Sequence, residues 1–338
     1  MPANGCLRTE FRVTASPFPK ILIRLGDWLI RIIIFKNHLI IPMINRIIIS
    51  LIFLIVIGCS KPTPIESLKK KIETQLATQE GVFAVAFKDL QTGEVVLVNE
   101  KESFHAASTM KTPVMIEVYK QASLGKWSLS DSVEVINDFK SIVDGSPYSL
   151  SAEGDSEQLL YTLVGTKRTL ADLTYDMIIV SSNLATNIVI ELADAKKITQ
   201  TMRDLGAEDI QILRGVEDSK AYEKGLSNTT TAHDLMIIFE QMALGKTINK
   251  EASEDMIRIL LDQKFNEIIP SQLPQEVKVA HKTGSITGVQ HDSGIVFLPD
   301  GRKYVLVLLS KNLTDTEAGI SSLAKVSKMI YEFVAATP

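Results

Sequence analysis

The sequence predicts an α+β protein: an antiparallel sheet built from both chain ends, flanked by terminal helices, with an inserted all-helical subdomain at about residues 108–265. Two observations carry this. A helical apolar period followed by two apolar runs opens the body, and three apolar runs followed by a helical period close it. Between them, apolar residues keep helical spacing almost throughout, so the strands have only each other to pair with.

Taken in order, residues 66–79 place Leu68, Ile72 and Leu76 on one side of an amphipathic helix. Strands follow at 81–89 and 95–99, joined by Leu90-Gln91-Thr92-Gly93-Glu94, a hairpin signal. Helical patterns then cover about 108–124, 168–194, 196–204, 231–244 and 251–263. Strands are expected at 277–281, 294–298 and 304–311, the last two joined at Pro299-Asp300-Gly301-Arg302, with a final helix at 317–334. The polar stretch 138–165 fits none of these and is expected to line a site rim.

The amino terminus differs in kind. Residues 1–58 hold 7 Lys+Arg against 2 Asp+Glu, leaving 29 against 38 in residues 59–338. An acidic body of this kind carries no electrostatic footprint for nucleic acid. The apolar run 47–58 is 12 residues long, too short to span a bilayer comfortably but suited to a signal peptide. It ends at Val56-Ile57-Gly58-Cys59, which resembles a bacterial lipobox, so Cys59 is the expected lipidation site. A signal running over 43–58 is complete, and residues 1–42 read as an over-called start. Residues 59–65 then form a lipid-anchored tether to the body at 66–338. The expected location is the periplasmic face, on the outer rather than the inner membrane, since Ser60 is not a retention aspartate.

Only Cys6 and Cys59 occur, so the body has no cysteine pair. The histidines (His38, His105, His233, His281, His291) show no metal-binding spacing. No metal and no cofactor are expected, and the protein reads as a monomer.

Three short motifs follow one another along the body: Ser108-Thr109-Met110-Lys111, Ser181-Ser182-Asn183 and Lys282-Thr283-Gly284. A lone S-x-x-K says little, because Ser67, Ser123 and Ser322 each begin another. The ordered set supplies a nucleophile, a proton relay and a substrate clamp. A helix starting near Ser108 puts Ser108 and Lys111 on one face, within reach of each other. Pro113 would fall in its first turn, where no backbone donor is needed. Lys111, desolvated beside other cations, can lose its proton and act as base. Ser181-Ser182-Asn183 interrupts an apolar helical stretch, where polar residues are costly unless bonded. Lys282 on a strand edge attracts a carboxylate, and Thr283 adds a hydroxyl donor. Gly284 removes a side chain where substrate would lie along the strand.

The set resembles that of the penicillin-recognising serine enzymes, and class A β-lactamases in particular, over roughly residues 66–337. The resemblance implies the β-lactamase/DD-peptidase fold and a serine hydrolase that opens a β-lactam ring through an acyl-enzyme on Ser108. It implies Lys111 and Ser181 as proton carriers, Asn183, Lys282, Thr283, Gly284 and Ser285 as substrate-binding residues, and Glu217 as the base for the deacylating water. The implied partner is a β-lactam or peptidoglycan-like small molecule. Alternatives are a DD-peptidase-like or slow-turnover penicillin-binding hydrolase, or a non-catalytic sensor.

Departures from the family pattern are specific. Ser182 stands where the family usually has aspartate, and Asn228 where an aspartate commonly pairs with the loop arginine, here Arg214. The stretch from Glu217 to Thr229-Thr230-Thr231 is short, and Ala221 lies where a water-holding asparagine is expected. Ser108 and Ser181 are 73 residues apart, more than the family norm. No arginine follows Lys282 on its strand to share a substrate carboxylate; His291 is nearest, with a surface histidine as the alternative.

Overall fold

The computed structural model describes residues 62–337. The expected signal segment at 43–58, Cys59 and residues 1–42, read as an over-called start, lie outside them. Among the described residues, no helix is long and apolar enough to cross a membrane.

Helix α1 (Pro64–Leu76) opens with a capping box, Thr63 and Glu66 bonding reciprocally, and Pro64 sits in the first turn. It buries Leu68, Ile72 and Leu76, the stripe its period predicts. Strands β1 (Val82–Asp89) and β2 (Val95–Val98) form the expected hairpin. Strands β9 (Lys278–Ile286), β10 (Val289–Phe297) and β11 (Lys303–Lys311) form the closing half. The sheet order is β2-β1-β11-β10-β9, so β1 and β11 join the two chain ends, Ala84 opposite Leu309. Two-residue alternation assigns its faces. Phe83, Val85 and Phe87 pack with α1 and the last helix, α9 (Thr316–Ala336); Ala84 and Ala86 face the helical middle of the chain.

That middle contains α2 (Lys111–Ser123), α3 (Leu170–Ile179), α4 (Asn183–Ala193), α5 (Ala195–Asp204), the short α6 (Ser219–Glu223), α7 (Ala232–Ala243) and α8 (Lys250–Leu261). The other strands are short pairs: β3 (Phe104–His105) with β8 (Thr229–Thr230), β4 (Ser132–Glu134) with β7 (Lys167–Thr169), and β5 (Phe139–Lys140) with β6 (Pro147–Tyr148).

Three local expectations change. Residues 107–110 form a 3₁₀ turn and α2 starts only at Lys111. The 168–194 stretch breaks into α3 and α4, because Ser181 takes a left-handed conformation at φ +59°. Strand β10 begins at Val289 rather than 294, and β9 continues through Ile286 rather than ending at 281. The residues that hid this are polar but buried and bonded. Asp292 accepts the Ile269 N–H at 2.9 Å and pairs with His281 at 2.8 Å, and the Ser293 hydroxyl donates to Lys282 O at 3.3 Å.

Candidate active site

Ser108 sits in the 3₁₀ turn, wedged between β9 and the helical middle. In such a turn residues i and i+3 eclipse, so Ser108 and Lys111 share a face more closely than on an α-helix. Ala107 takes φ +44°, and its N–H donates to His105 Nδ1 at 3.0 Å. The turn also rests on Gly284. A Cβ there would stand 3.1 Å from the N atoms of both Ser108 and Thr109. The glycine therefore admits the Ser108 turn to the strand edge.

The Lys111 amine is fully buried, and its donors go to Ser181 O (2.7 Å), Ser181 Oγ (3.0 Å) and Asn183 Oδ1 (3.0 Å). Among the described residues it makes no hydrogen bond to Ser108. Burial pushes the Lys111 pKa down to about 7, against the opposing pull of Asp155 and Glu217. Lys282 is equally buried and donates to Ser181 Oγ at 3.0 Å and to Thr283 O at 3.0 Å. Burial and the neighbouring Lys111 hold Lys282 well below the usual lysine range, while Asp292 opposes this. One hydroxyl thus lies between two desolvated amines.

The Ser181-Ser182-Asn183 motif is the junction between α3 and α4. Ser182 caps α4, accepting the Ala185 N–H at 3.1 Å. Asp155, from the polar stretch 138–165, accepts the N–H groups of Asn183 (2.9 Å) and Leu184 (3.0 Å). Nothing local in the sequence marks Asp155, because its partner lies 28 residues away. The same stretch lines the cleft with Gly154 and Ser156, as its polarity predicts.

Glu217, at φ +62°, is exposed, and its Oε1 accepts from Asn183 Nδ2 at 2.9 Å. Of the six non-glycine residues with positive φ among those described, Ala107, Ser181 and Glu217 all border this cleft. Such strain persists only where surroundings over-determine it. For Glu217 the clamp is Asn187, whose side chain accepts the Val216 N–H at 2.6 Å and donates to Val216 O at 3.0 Å. Asp218 adds a second tie, accepting from Ser141 Oγ (2.8 Å) and Ile142 N (2.9 Å). Arg214 donates to Leu226 O and Gly215 O, both at 2.9 Å, and Asn228 holds the Leu213 and Arg214 N–H groups on its Oδ1 at 2.8 and 3.2 Å. Carbonyls therefore replace the missing aspartate. Ala221 is buried and offers the cleft nothing.

His291 is neither a carboxylate ligand nor a surface residue. It is fully buried; Nε2 faces His105 O at 2.9 Å, and Nδ1 accepts the Ser310 N–H at 3.2 Å. Burial pushes its pKa down to about 4, so the ring is neutral. The residue opposite Ser285 on β10 is Gln290, whose Nε2 donates to Ser285 Oγ at 2.8 Å. It was missed because β10 was expected to start later. The cleft has two lobes of about 480 and 390 Å³ that share Ser108, Asn183 and Ser285. The larger includes Thr283 and Gln290; the smaller includes Glu217, Tyr222 and Ile286.

Comparison with known proteins agrees with this geometry. Residues 67–334 match the model of the β-lactamase enzyme family. The chain is 23% identical to β-lactamase CARB-4 of Pseudomonas aeruginosa over 81% of its own length and 91% of that protein's. It is 24% identical to the extended-spectrum β-lactamase PER-1 of the same organism, over 79% and 87% of the respective lengths. Among solved structures it resembles a β-lactamase from Sphaerobacter thermophilus at TM-score 0.69 and 25% identity, covering 80% of this chain and 98% of that one. The fold of PBP-A is as similar, at TM-score 0.69 and 24% identity over 80% and 96% of the two chains.

Proposed function

Because the chain belongs to the β-lactamase enzyme family, we propose that it is a class A-type serine β-lactamase acting through an acyl-enzyme on Ser108. The observation that carries the reading is the Ser181 hydroxyl held 3.0 Å from both the Lys111 and the Lys282 amines, beside Ser108.

In the proposed mechanism the Ser108 oxygen attacks the lactam carbonyl and its proton passes toward neutral Lys111. The N–H groups of Ser108 and Ser285 receive the oxyanion. Ser181 delivers a proton to the departing ring nitrogen, resupplied across the Lys111–Lys282 bridge. Lys282, Thr283 and Gln290 face the substrate carboxylate, and Asn183 holds the side-chain amide. A substrate carboxylate beside Lys282 draws the shared proton there, leaving Lys111 as the free base. Glu217 then activates water to release the acyl group. Residues 43–58 act as a signal peptide and Cys59 as the lipid anchor, placing the body in the periplasm; radiolabelled palmitate lost on Cys59→Ser tests this.

A second reading, a penicillin-binding hydrolase with slow release, is favoured by one observation. Glu217 is exposed and has Asn183 as its side-chain partner, while Ala221 supplies no second group to hold a water. One experiment separates the two: a chromogenic cephalosporin and a labelled penicillin followed with the purified full chain. Multiple turnovers abolished by Ser108→Ala support the lactamase. A single burst ending in a stable adduct on Ser108 sinks it and supports the second reading.

A further inference from the structure

The Ser182 departure leaves α4 without the carboxylate the family places at its start, yet the first turn lacks nothing. Four N–H groups at a helix start have no partner within the helix. Here that of the N-cap Ser182 goes to Asp176 O (3.1 Å), those of Asn183 and Leu184 to Asp155 Oδ2 (2.9 and 3.0 Å) and that of Ala185 to Ser182 Oγ (3.1 Å). The cap is divided between a local serine and a distant carboxylate.

Asp155 is a costly residue to place there. It is 5% exposed, and among the described residues no Lys, Arg or His lies within ion-pair distance of it. Its remaining bonds are to neutral groups: the Tyr161 hydroxyl donates to Oδ2 at 2.8 Å and the Glu157 N–H to Oδ1 at 3.1 Å. A buried carboxylate of this kind is held by N–H donors and by the positive end of the helix. The segment that carries it is docked independently: Leu150 and Leu160 enter the main core, and Asp144 and Ser146 receive Lys220 at 2.8 and 2.7 Å. The docking of the loop therefore does not rest on Asp155 alone.

What it does touch is the junction that carries the proton relay. Ser181, two residues before the Asn183 N–H, sits at φ +59° with both its oxygens on Lys111. We propose that Asp155 is the positioning residue for the Ser181–Asn183 junction, supplying across the cleft rim the carboxylate that Ser182 lacks. The proposal rests on the acyl-transfer reading of Ser108. By fixing the first two N–H groups of α4, Asp155 sets where Ser181 O, Ser181 Oγ and Asn183 Oδ1 stand. These three atoms hold the Lys111 amine. Its charge reaches the same amine, which is also faced by Glu217 from the loop before α6 and by Lys282 from β9.

The test compares the full chain with Asp155→Asn, Asp155→Ala and the double variant Asp155→Asn/Ser182→Asp. Single-turnover acylation by a penicillin is measured from pH 5 to 8, beside thermal melting. Asp155→Asn keeps shape but not charge, so its acylation plateau falls at least roughly tenfold. Its acid limb moves to lower pH, because Lys111 loses a negative neighbour. A carboxylate restored at the cap in the double variant recovers most of the rate and returns the limb. Wild-type rate and limb in Asp155→Asn, or a loss of rate matched by melting with the limb unmoved, overturns the proposal. Should Asp155→Ala fail to fold, Asp155→Asn and its rescue decide alone. A wild-type chain that never acylates Ser108 refutes the functional reading instead.

Discussion

The protonation of Lys111 offers the sharpest test of the acyl-transfer reading. Its pKa is pushed from 10.5 to about 7 by burial, with Asp155 and Glu217 acting against that shift. A base must be neutral to accept the Ser108 proton, and a lowered pKa extends the neutral form to lower pH. Single-turnover acylation should therefore be level above pH 7 and fall about tenfold per unit below it, to roughly one hundredth of the plateau at pH 5. The assay is stopped-flow burst kinetics with a labelled penicillin, which isolates acylation from release. An amine in the ordinary lysine range gives no plateau, only a tenfold rise per unit through pH 8. A rate constant from pH 5 to 8 removes Lys111 from the role of base altogether. Glu217→Gln adds a check of sign: with one negative neighbour gone, the limb moves to lower pH.

Two further predictions concern the frame of the site. Gly215→Ala places a Cβ 2.3 Å from Asn187 Oδ1, in the clamp that holds Val216. The loop must shift, so the acyl-enzyme on Ser108 should persist at least about tenfold longer while acylation changes less, read by intact mass over time. His291, neutral with a pKa lowered from 6.5 to about 4, binds no proton in the fold over that window while the unfolded chain does. Stability is then fully present above pH 6.5 and declines toward pH 4 by up to about 3 kcal/mol. Urea unfolding at pH 7 and 4.5 should show this slope in the wild type and a shallower one in His291→Gln.

Sequence disclosed what depends on short spacing. The continuous apolar runs at β1 and β11, buried on both faces, and the Leu68–Ile72–Leu76 stripe are local patterns. The three motifs were likewise legible because each reports its own chemistry. What escaped were polar residues whose partners lie far along the chain. His291, Asp292 and Ser293 lie before the strand expected at 294–298, yet each is satisfied by a neighbouring strand or segment, so β10 starts earlier and Gln290 falls within it. Ser181-Ser182 marks a disturbance in a helix, but its sharp left-handed turn is held by distant groups: the Lys111 amine donates to Ser181 O, and Asp155 accepts the N–H of the next residue, Asn183. Asp155 itself sits in a polar stretch with no feature to separate it from Asp144, which is spent on Lys220.

The charge arrangement explains why the site needs such remote help. Two amines sharing one hydroxyl in a fully buried seam cannot both be ionised without balancing charge. Asp155 and Glu217 lie on the Lys111 side, and Asp292 lies on the Lys282 side. Asp292 is already committed to His281 at 2.8 Å and to the Ile269 N–H, which leaves Lys282 the less compensated of the two. The neighbouring Lys111 thus makes Lys282 harder to protonate. On the proposed reading, a substrate carboxylate supplies the missing negative charge on the Lys282 side. Binding there then favours a proton on Lys282 and leaves Lys111 to take the Ser108 proton. On this account the three motifs work as one unit, because the ligand that Lys282 attracts is what frees Lys111 to act. The weak point is release, since Glu217 lies outside that buried pair and is held over the cleft by the amide of Asn183.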